Sequence, residues 1–492
     1  MVLPKTHQLC ITNQDFLFYI DIIIGKVDKS QLLEKQIMKR FTQLVFFSLI
    51  SLFITGCNSS SEPEKPVDKT PVEQTPVETQ EVICSPLARL PTIAASASAE
   101  LESNAPSFAI DGQFLVESQW RVATDNQEIV LTLDKMSLVK GLSILWDNPD
   151  QRSYSFEAYT SQDEVNWVSV LAPSTSDPQS NRAQYTQLSE STAKYIKLVV
   201  LGNSIDTEHG LIEIESFGCV SSSASQIELA DWYLSIPVDE NLYSKAKSIK
   251  EDELKDGYFN HEFFFEDIEG GLVFRAPVSG AKTSSNTKYT RTELREMLRR
   301  GDTSISTQGV NENNWVFSSA PQDDLDQAGG IDGELYAELE VNHVTTTGEQ
   351  WQIGRVIIGQ IHANDDEPIR VYYRKLPDNE RGSIYLAHEI LGGDDIYFEV
   401  LGNRSQSADN PVNGIGLEER FAYRIKVIGN ELTFTLIREG QDDIRQIIDM
   451  TDSGYDQGGQ YMYFKAGVYN QNNTGEAQDY VEATFYKIDN SH

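Results

Sequence analysis

"YMYFKAGVYNQNN", Tyr461 to Asn473, alternates cleanly from Tyr461 to Tyr469. Successive side chains of a β-strand point to opposite faces. Met462, Phe464, Ala466 and Val468 therefore share one side, an ordinary apolar core face. Tyr461, Tyr463, Lys465, Gly467 and Tyr469 share the other. A lysine, tyrosines and a bare glycine on one face raise a question: is it merely solvated, or does it line a cleft? Glycine weakens a strand and often marks close approach of a ligand or of another backbone. Alternation alone leaves both readings open; a cleft floor, with Gly467 making room for what binds, is one of them.

The surrounding sequence follows the same period. "WYLSIPV", "GLVFRAP", "ELYAELEVNHV", "WQIGRVIIGQIHA", "RVYYRKL", "GSIYLAHEI", "DIYFEVLG", "FAYRIKVIG", "ELTFTLIRE" and "VEATFYKI" are all strand-like. So many short strands within residues 228–492 predict an all-β domain, a large sandwich or β-jelly roll. Such folds often curve one sheet around an extended ligand. Two more runs carry polar residues on one face. In "YTRTELREMLRR", strand alternation puts Arg291, Glu293 and Arg295 together. Lys288 to Arg300 holds five basic and two acidic residues, in a chain of net charge −35. The same run has helical propensity, with Arg and Glu spaced to pair on a helix, so its residues leave both structures open. In "VIIGQIHAN", Gln360 and His362 project from one face of a β-branched strand. A lone histidine is more often structural than catalytic; its pairing with Gln360 makes it a candidate.

The 492 residues are too many for one core. Residues 84–219 contain "EIVLTLD", "GLSILWD", "SFEAYTS", "KYIKLVVLG" and "LIEIESFGC", short apolar runs between turns. They predict a separate antiparallel β-sandwich. Ser-rich residues 220–227 read as a linker. The acidic balance, 75 acidic against 40 basic residues, argues against nucleic acid as a partner, because phosphate binding needs a basic footprint.

Upstream, "MKRFTQLVFFSLISLFITGC" has a Lys39-Arg40 start, a short apolar run and small residues before Cys57. This is a secretory signal pattern over residues 38–57, too short and too polar for a membrane span. It resembles a bacterial lipoprotein signal, which implies lipidation of Cys57 and anchoring at the outer membrane or cell surface. Residues 1–37 are then not part of the mature protein. Residues 58–83, rich in Pro, Glu and Thr, read as a disordered tether. With Cys10 excluded and Cys57 lipidated, Cys84 and Cys219 remain to form one disulfide in an oxidising compartment. Closing so long a loop contributes about 4–5 kcal/mol in the chain-entropy model.

In the first domain, "NAPSFAIDGQFLVESQWRV", "SFEAYTSQDEVNWVSV", "KYIKLVVLGN" and "EIESFGC" resemble the discoidin, or F5/8 type C, fold. In polysaccharide-degrading enzymes that fold is similar to carbohydrate-binding module family 32. The resemblance implies a β-sandwich that targets substrate. It also implies a structural calcium near Asp111 and Glu215, whose oxygens suit a hard cation. Read alone, Asp111 also fits a turn with Gly112. Trp146, Asn148 and His209 sit near expected loops and read as ordinary loop residues, which leaves this domain's ligand open.

In the second domain, "RTELREM", "QIH" and "YFKAGVYNQ" occur in that order. The three blocks resemble polysaccharide lyase family 7, the alginate lyases, over about residues 228–492. The resemblance favours the strand reading of Arg291 to Glu296. It implies β-elimination between uronate residues of alginate, leaving 4,5-unsaturated oligouronates. The C5 proton is weakly acidic beside an ionised carboxylate. A site must therefore neutralise that carboxylate, supply a base and protonate the departing O4. The resemblance gives Arg291 and Gln360 the carboxylate and His362 the role of neutraliser or base. It gives Tyr469 the acid, and also the base for mannuronate, where proton and leaving oxygen lie on one side. Glu293, Arg295 and Lys465 become cleft residues that bind substrate. A nearby Arg or Lys is expected to lower the Tyr469 pKa. Catalysis needs no cofactor by this reading, and a monomer is expected.

Two other readings are weighed. A jelly-roll glycoside hydrolase needs two flanking carboxylates, and no E-x-D-x-x-E run supplies them. A non-catalytic, surface-anchored glycan-binding protein would not need all four matched catalytic positions. The segment from His362 to Ile390 is a candidate wall at one end of the cleft; a walled cleft would favour attack at chain ends, an open one attack within the chain.

Overall fold

The computed structural model describes residues 87–219, 227–239 and 245–492. Residues 1–37, the signal-like stretch 38–57 with Cys57, the tether 58–83 and Cys84 lie outside the described residues, as do 220–226.

Both domains are β-structures, as their alternation predicts. In the first, the Gln127–Trp146 and Gln184–Asn203 strands pair along most of their length. Register shifts between Thr132 and Ser137, and between Val139 and Gly141, break that ladder. Such irregularities bend a strand and raise its twist; beyond the break, Gln127–Trp146 changes neighbour from Thr92–Ala97 to His209–Cys219. Its core gathers Trp120, Ile129, Leu131, Trp146, Tyr154, Phe156, Ile196 and Leu198. Cys219 ends the His209–Cys219 strand and is disulfide-bonded. The Ala88–Leu90 strand, just after Cys84 in sequence, pairs with it antiparallel, Ala88 opposite Gly218.

In the second domain, two sheets sandwich a core that includes Trp232, Leu294, Phe274, Ile358, Tyr423, Phe464 and Phe485. One sheet runs Ala246–Ile249, Trp232–Asp239, Arg291–Glu296, Tyr463–Asn470, Arg355–His362, Ile369–Arg374, Arg381–Glu389, Asp395–Leu401 in spatial order. Arg291–Glu296 is thus a central strand, and its helical propensity yields to pairing on both sides. The segment after His362 carries the next two strands, Ile369–Arg374 and Arg381–Glu389. They extend the same sheet antiparallel, because the segment's own alternation buries Val371, Tyr373, Ile384 and Leu386 in the core.

The other sheet of this domain continues into the first domain. The Phe264–Glu266 strand pairs in parallel with Ala88–Leu90, at Ala88 and Glu266. Around this joint lies a buried ion network. The Arg275 guanidinium donates to both carboxylate oxygens of Glu215 at 2.7 and 3.0 Å and to Glu482 at 2.6 Å. Arg89 reaches the same two acids at 3.0 and 2.8 Å. Phe114, Phe265 and Tyr480 close over Arg275. The domains are therefore packed together, although sequence between them reads only as a linker.

This network decides the expected calcium pair. Glu215 spends both oxygens on guanidinium groups, so a cation there would meet two positive charges. The carboxylate near Asp111 is Glu213, which accepts from the Gly112 amide at 3.1 Å. Asp111 itself accepts from Ser118 and from the Gln113 amide, which makes the turn read from Asp111-Gly112. Asp111 with Glu215 does not fit a calcium ion. No group of three or more His, Cys, Asp or Glu among the described residues could hold a metal. Trp146 is buried and stacked on Tyr154, and His209 is buried between Asp125 and Asn203, so both are structural.

Candidate active site

Pairing across the sheet brings the polar faces together. Arg291 stands opposite Tyr469, and Glu293 opposite Gly467. Gln360 stands opposite Lys465, and His362 opposite Tyr463. The intervening residues Leu294, Ile361, Phe464, Ala466 and Val468 are buried in the core. All four matched catalytic positions therefore share one face of three adjacent strands.

Glu293 organises this face. It is 2% exposed. It accepts from Arg291 Nη1 at 2.8 Å, from Lys465 Nζ and from Gln360 Nε2. Burial pushes its pKa up, but Lys465 and Arg291 more than offset this and hold it below the usual range. It lies under the site and positions other side chains, which departs from the expected substrate contact. Lys465 is pushed down to about 8, first by burial and then by Arg291, with Glu293 opposing. Gln360 spends one N–H on Glu293, and its Oε1 is buried with no protein partner. The Arg291 guanidinium carbon lies over the Tyr469 ring, 3.6 Å from its centroid, and its Nε is also unpartnered.

His362 donates from Nδ1 to the Ala363 carbonyl at 2.7 Å. That bond puts the lone pair of the neutral ring on Nε2. The ring stacks on Tyr463 with centroids 5.1 Å apart. Burial, then Lys465 and Arg291, lower its pKa to about 4 against the opposing pull of Glu367. His362 is thus neutral over most of the working range and able to accept a proton.

Tyr469 departs from the expected direction. Burial raises its pKa, and the lowering by Arg291 does not cancel this. Its ring packs beside Ile357, Tyr372 and Tyr385 and edge-on to Tyr289. The hydroxyl stays protonated near neutral pH, the state of a general acid.

Two further expectations are corrected. Arg295 is 2% exposed, and its donors go to Glu296 O, Thr307 O, Met297 Sδ and Asn314 Oδ1. Its guanidinium lies 3.9 Å from the Tyr463 ring centroid, so it supports the ring under His362 rather than meeting substrate. Gly467 has φ +131°, and a Cβ there would sit 2.6 Å from Thr292 O. The neighbouring backbone requires the glycine, not a bound ring.

Sequence reading missed Glu367 and Glu389. Glu367 Oε1 is 3.4 Å from His362 Nε2. Burial and then the Glu367 hydrogen bond raise Glu389 to about 7. Only the acidic start of this segment hinted at them, and pairing brought them beside His362.

A neutral histidine, a protonated tyrosine and cationic side chains on one sheet face suit proton abstraction beside a carboxylate, the chemistry of a polysaccharide lyase. The family model for alginate lyase matches residues 227–492. The chain belongs to the alginate lyase family. A model for the F5/8 type C domain matches residues 92–214. An alginate lyase from Klebsiella pneumoniae is 55% identical over 291 residues, 57% of this chain and 95% of that protein. The crystal structure of the alginate lyase from Klebsiella pneumoniae has 56% identity and TM-score 0.54, covering 54% of this chain and 97% of that one. A truncated AlyQ with CBM32 and alginate lyase domains has 19% identity and TM-score 0.34, covering 83% of this chain and 99% of that one.

Proposed function

We propose that this protein cleaves alginate by β-elimination, with His362 as base and Tyr469 as acid. Arg291, Lys465 and the free N–H of Gln360 neutralise the C5 carboxylate. His362 Nε2 takes the C5 proton, the electron pair forms the C4–C5 double bond, and the C4–O4 bond breaks. Tyr469 protonates O4, and the product carries a 4,5-unsaturated uronate at its new non-reducing end. The carrying observation is an Nδ1-anchored neutral histidine on the same sheet face as a tyrosine whose pKa is raised. Separate acid and base suit guluronate, where proton and leaving oxygen lie on opposite faces. The first domain assists by binding the polysaccharide. The chain acts outside the cytoplasm, held to the outer membrane by lipid on Cys57, a reading supported by the signal-like stretch before that residue.

Poly-guluronate and poly-mannuronate blocks test the reading. Ultraviolet absorbance of the unsaturated product should rise faster on guluronate. Reducing ends without that absorbance would mean hydrolysis and overturn it. Binding with no turnover would favour a non-catalytic role.

A further inference from the structure

We propose that the far strands of the catalytic sheet carry a second anion site, built by Arg355, Arg374 and Arg404, which binds the carboxylate of a uronate remote from the cleaved bond. The proposal rests on the alginate lyase reading and extends its substrate contacts.

The site lies in line with the catalytic centre. Tyr469 stands opposite Ile357, Ile357 opposite Tyr372, and Tyr372 opposite Tyr385. This row crosses three strand spacings, roughly 14 Å at about 4.8 Å each, so it reaches past the sugar that reacts. Tyr372 and Tyr385 stack with centroids 4.6 Å apart and form a buried floor. Arg355 lies over the Tyr372 ring at 5.6 Å and donates from Nη1 to the Trp351 carbonyl at 3.2 Å. Trp351, 47% exposed, borders Arg355.

The arginines lack counterions. Among the described residues, no carboxylate pairs with the guanidinium of Arg355, Arg374 or Arg404, in a chain of net charge −35. Glu399 is near, but it accepts from the Arg404 amide and Asn403 rather than from the guanidinium. Arg374 gives its two terminal nitrogens to backbone carbonyls of Arg404 and Gln350. The Nε atoms of Arg355 and Arg374 are buried without partners. Arg355 and Arg374 stand directly opposite each other in the sheet, a placement that costs stability for like charges. Their neighbour Arg370 shows the usual alternative, paired with Glu367, Glu389 and Asp395. Arg355 and Arg404, backed by the buried positive charge of Arg374, fit a polyanion in line with the cleft, because guanidinium recognises carboxylate through charge-assisted donors.

The test compares kcat/KM on alginate polymer with kcat/KM on the shortest oligouronate that is cleaved. Arg355→Gln and the exposed Arg404→Glu should each lower the polymer-to-oligomer ratio about tenfold, the order expected for losing a charge-assisted hydrogen bond. Arg445→Glu, on an exposed side chain elsewhere, makes the same charge change as Arg404→Glu and should leave the ratio unaltered. Equal losses on both substrates, or an unchanged ratio in both variants, would overturn the site. A wild-type chain producing no unsaturated product would instead overturn the lyase reading.

Discussion

Replacing Glu293 by Gln should separate the positioning of the site from its chemistry. Glu293 is the shared counterion of Lys465 and Arg291 and the acceptor for Gln360. The substitution keeps the shape and removes the charge. Two cations then face each other without an anion, and losing one member of such a buried set costs about 3–5 kcal/mol. For a domain of this size that lowers Tm by roughly 10 °C. Lys465 relieves the repulsion by giving up its proton more easily. In the native site it is pushed down to about 8. It is charged below that pH, so kcat/KM should fall as pH rises through about 8. In Glu293→Gln the fall should begin at least about one unit lower, equivalent to about 1.4 kcal/mol. The acid limb belongs to His362, lowered to about 4. Activity is lost as the ring gains a proton, so this limb should lie well below an ordinary imidazole and move little. The assay is the initial rate of ultraviolet absorbance from pH 3.5 to 10, alongside thermal melting. A variant with native alkaline limb would refute Glu293 as the anion that sets the Lys465 charge. An alkaline limb that persists in Lys465→Arg would refute the assignment of that limb to Lys465.

Gly467→Ala should be destabilised by about 2–3 kcal/mol, since the new Cβ meets Thr292 O at 2.6 Å and overpacking costs are of that order. Melting temperature and kcat should fall together, because Lys465 and Tyr469 flank the displaced backbone; a normal melt would contradict the contact. Arg275→Met leaves Glu215 and Glu482 buried together at the domain joint, at a cost of about 3–5 kcal/mol. Calorimetry should show the first domain melting earlier and apart from the second, and an unchanged single transition would count against the network.

That Arg291, Gln360, His362, Lys465 and Tyr469 share a face was legible, because alternation is a local property of a strand. Arg295 was misplaced because alternation gives the face but not the partners. Its donors are taken by Thr307 and Asn314, which lie on a separate loop. Gly467 was read as space for a ligand, and only the Thr292 carbonyl on the next strand explains it. The direction of the Tyr469 shift needed its burial beside Ile357, Tyr372 and Tyr385. Glu215 looked like a free oxygen ligand until Arg89 and Arg275 arrived from elsewhere in the chain.

By itself the sequence determined the all-β class, the two domains, and which side chains share a face with the cleft. Period-two patterning and turn residues act over a few positions, and those features need nothing more. The tertiary structure alone decided which polar groups are spent on each other and which stay available. Glu293, Gln360 and Lys465 meet only when three strands pair in one register. Burial, set by that same packing, then fixes which of His362, Lys465 and Tyr469 carries a proton.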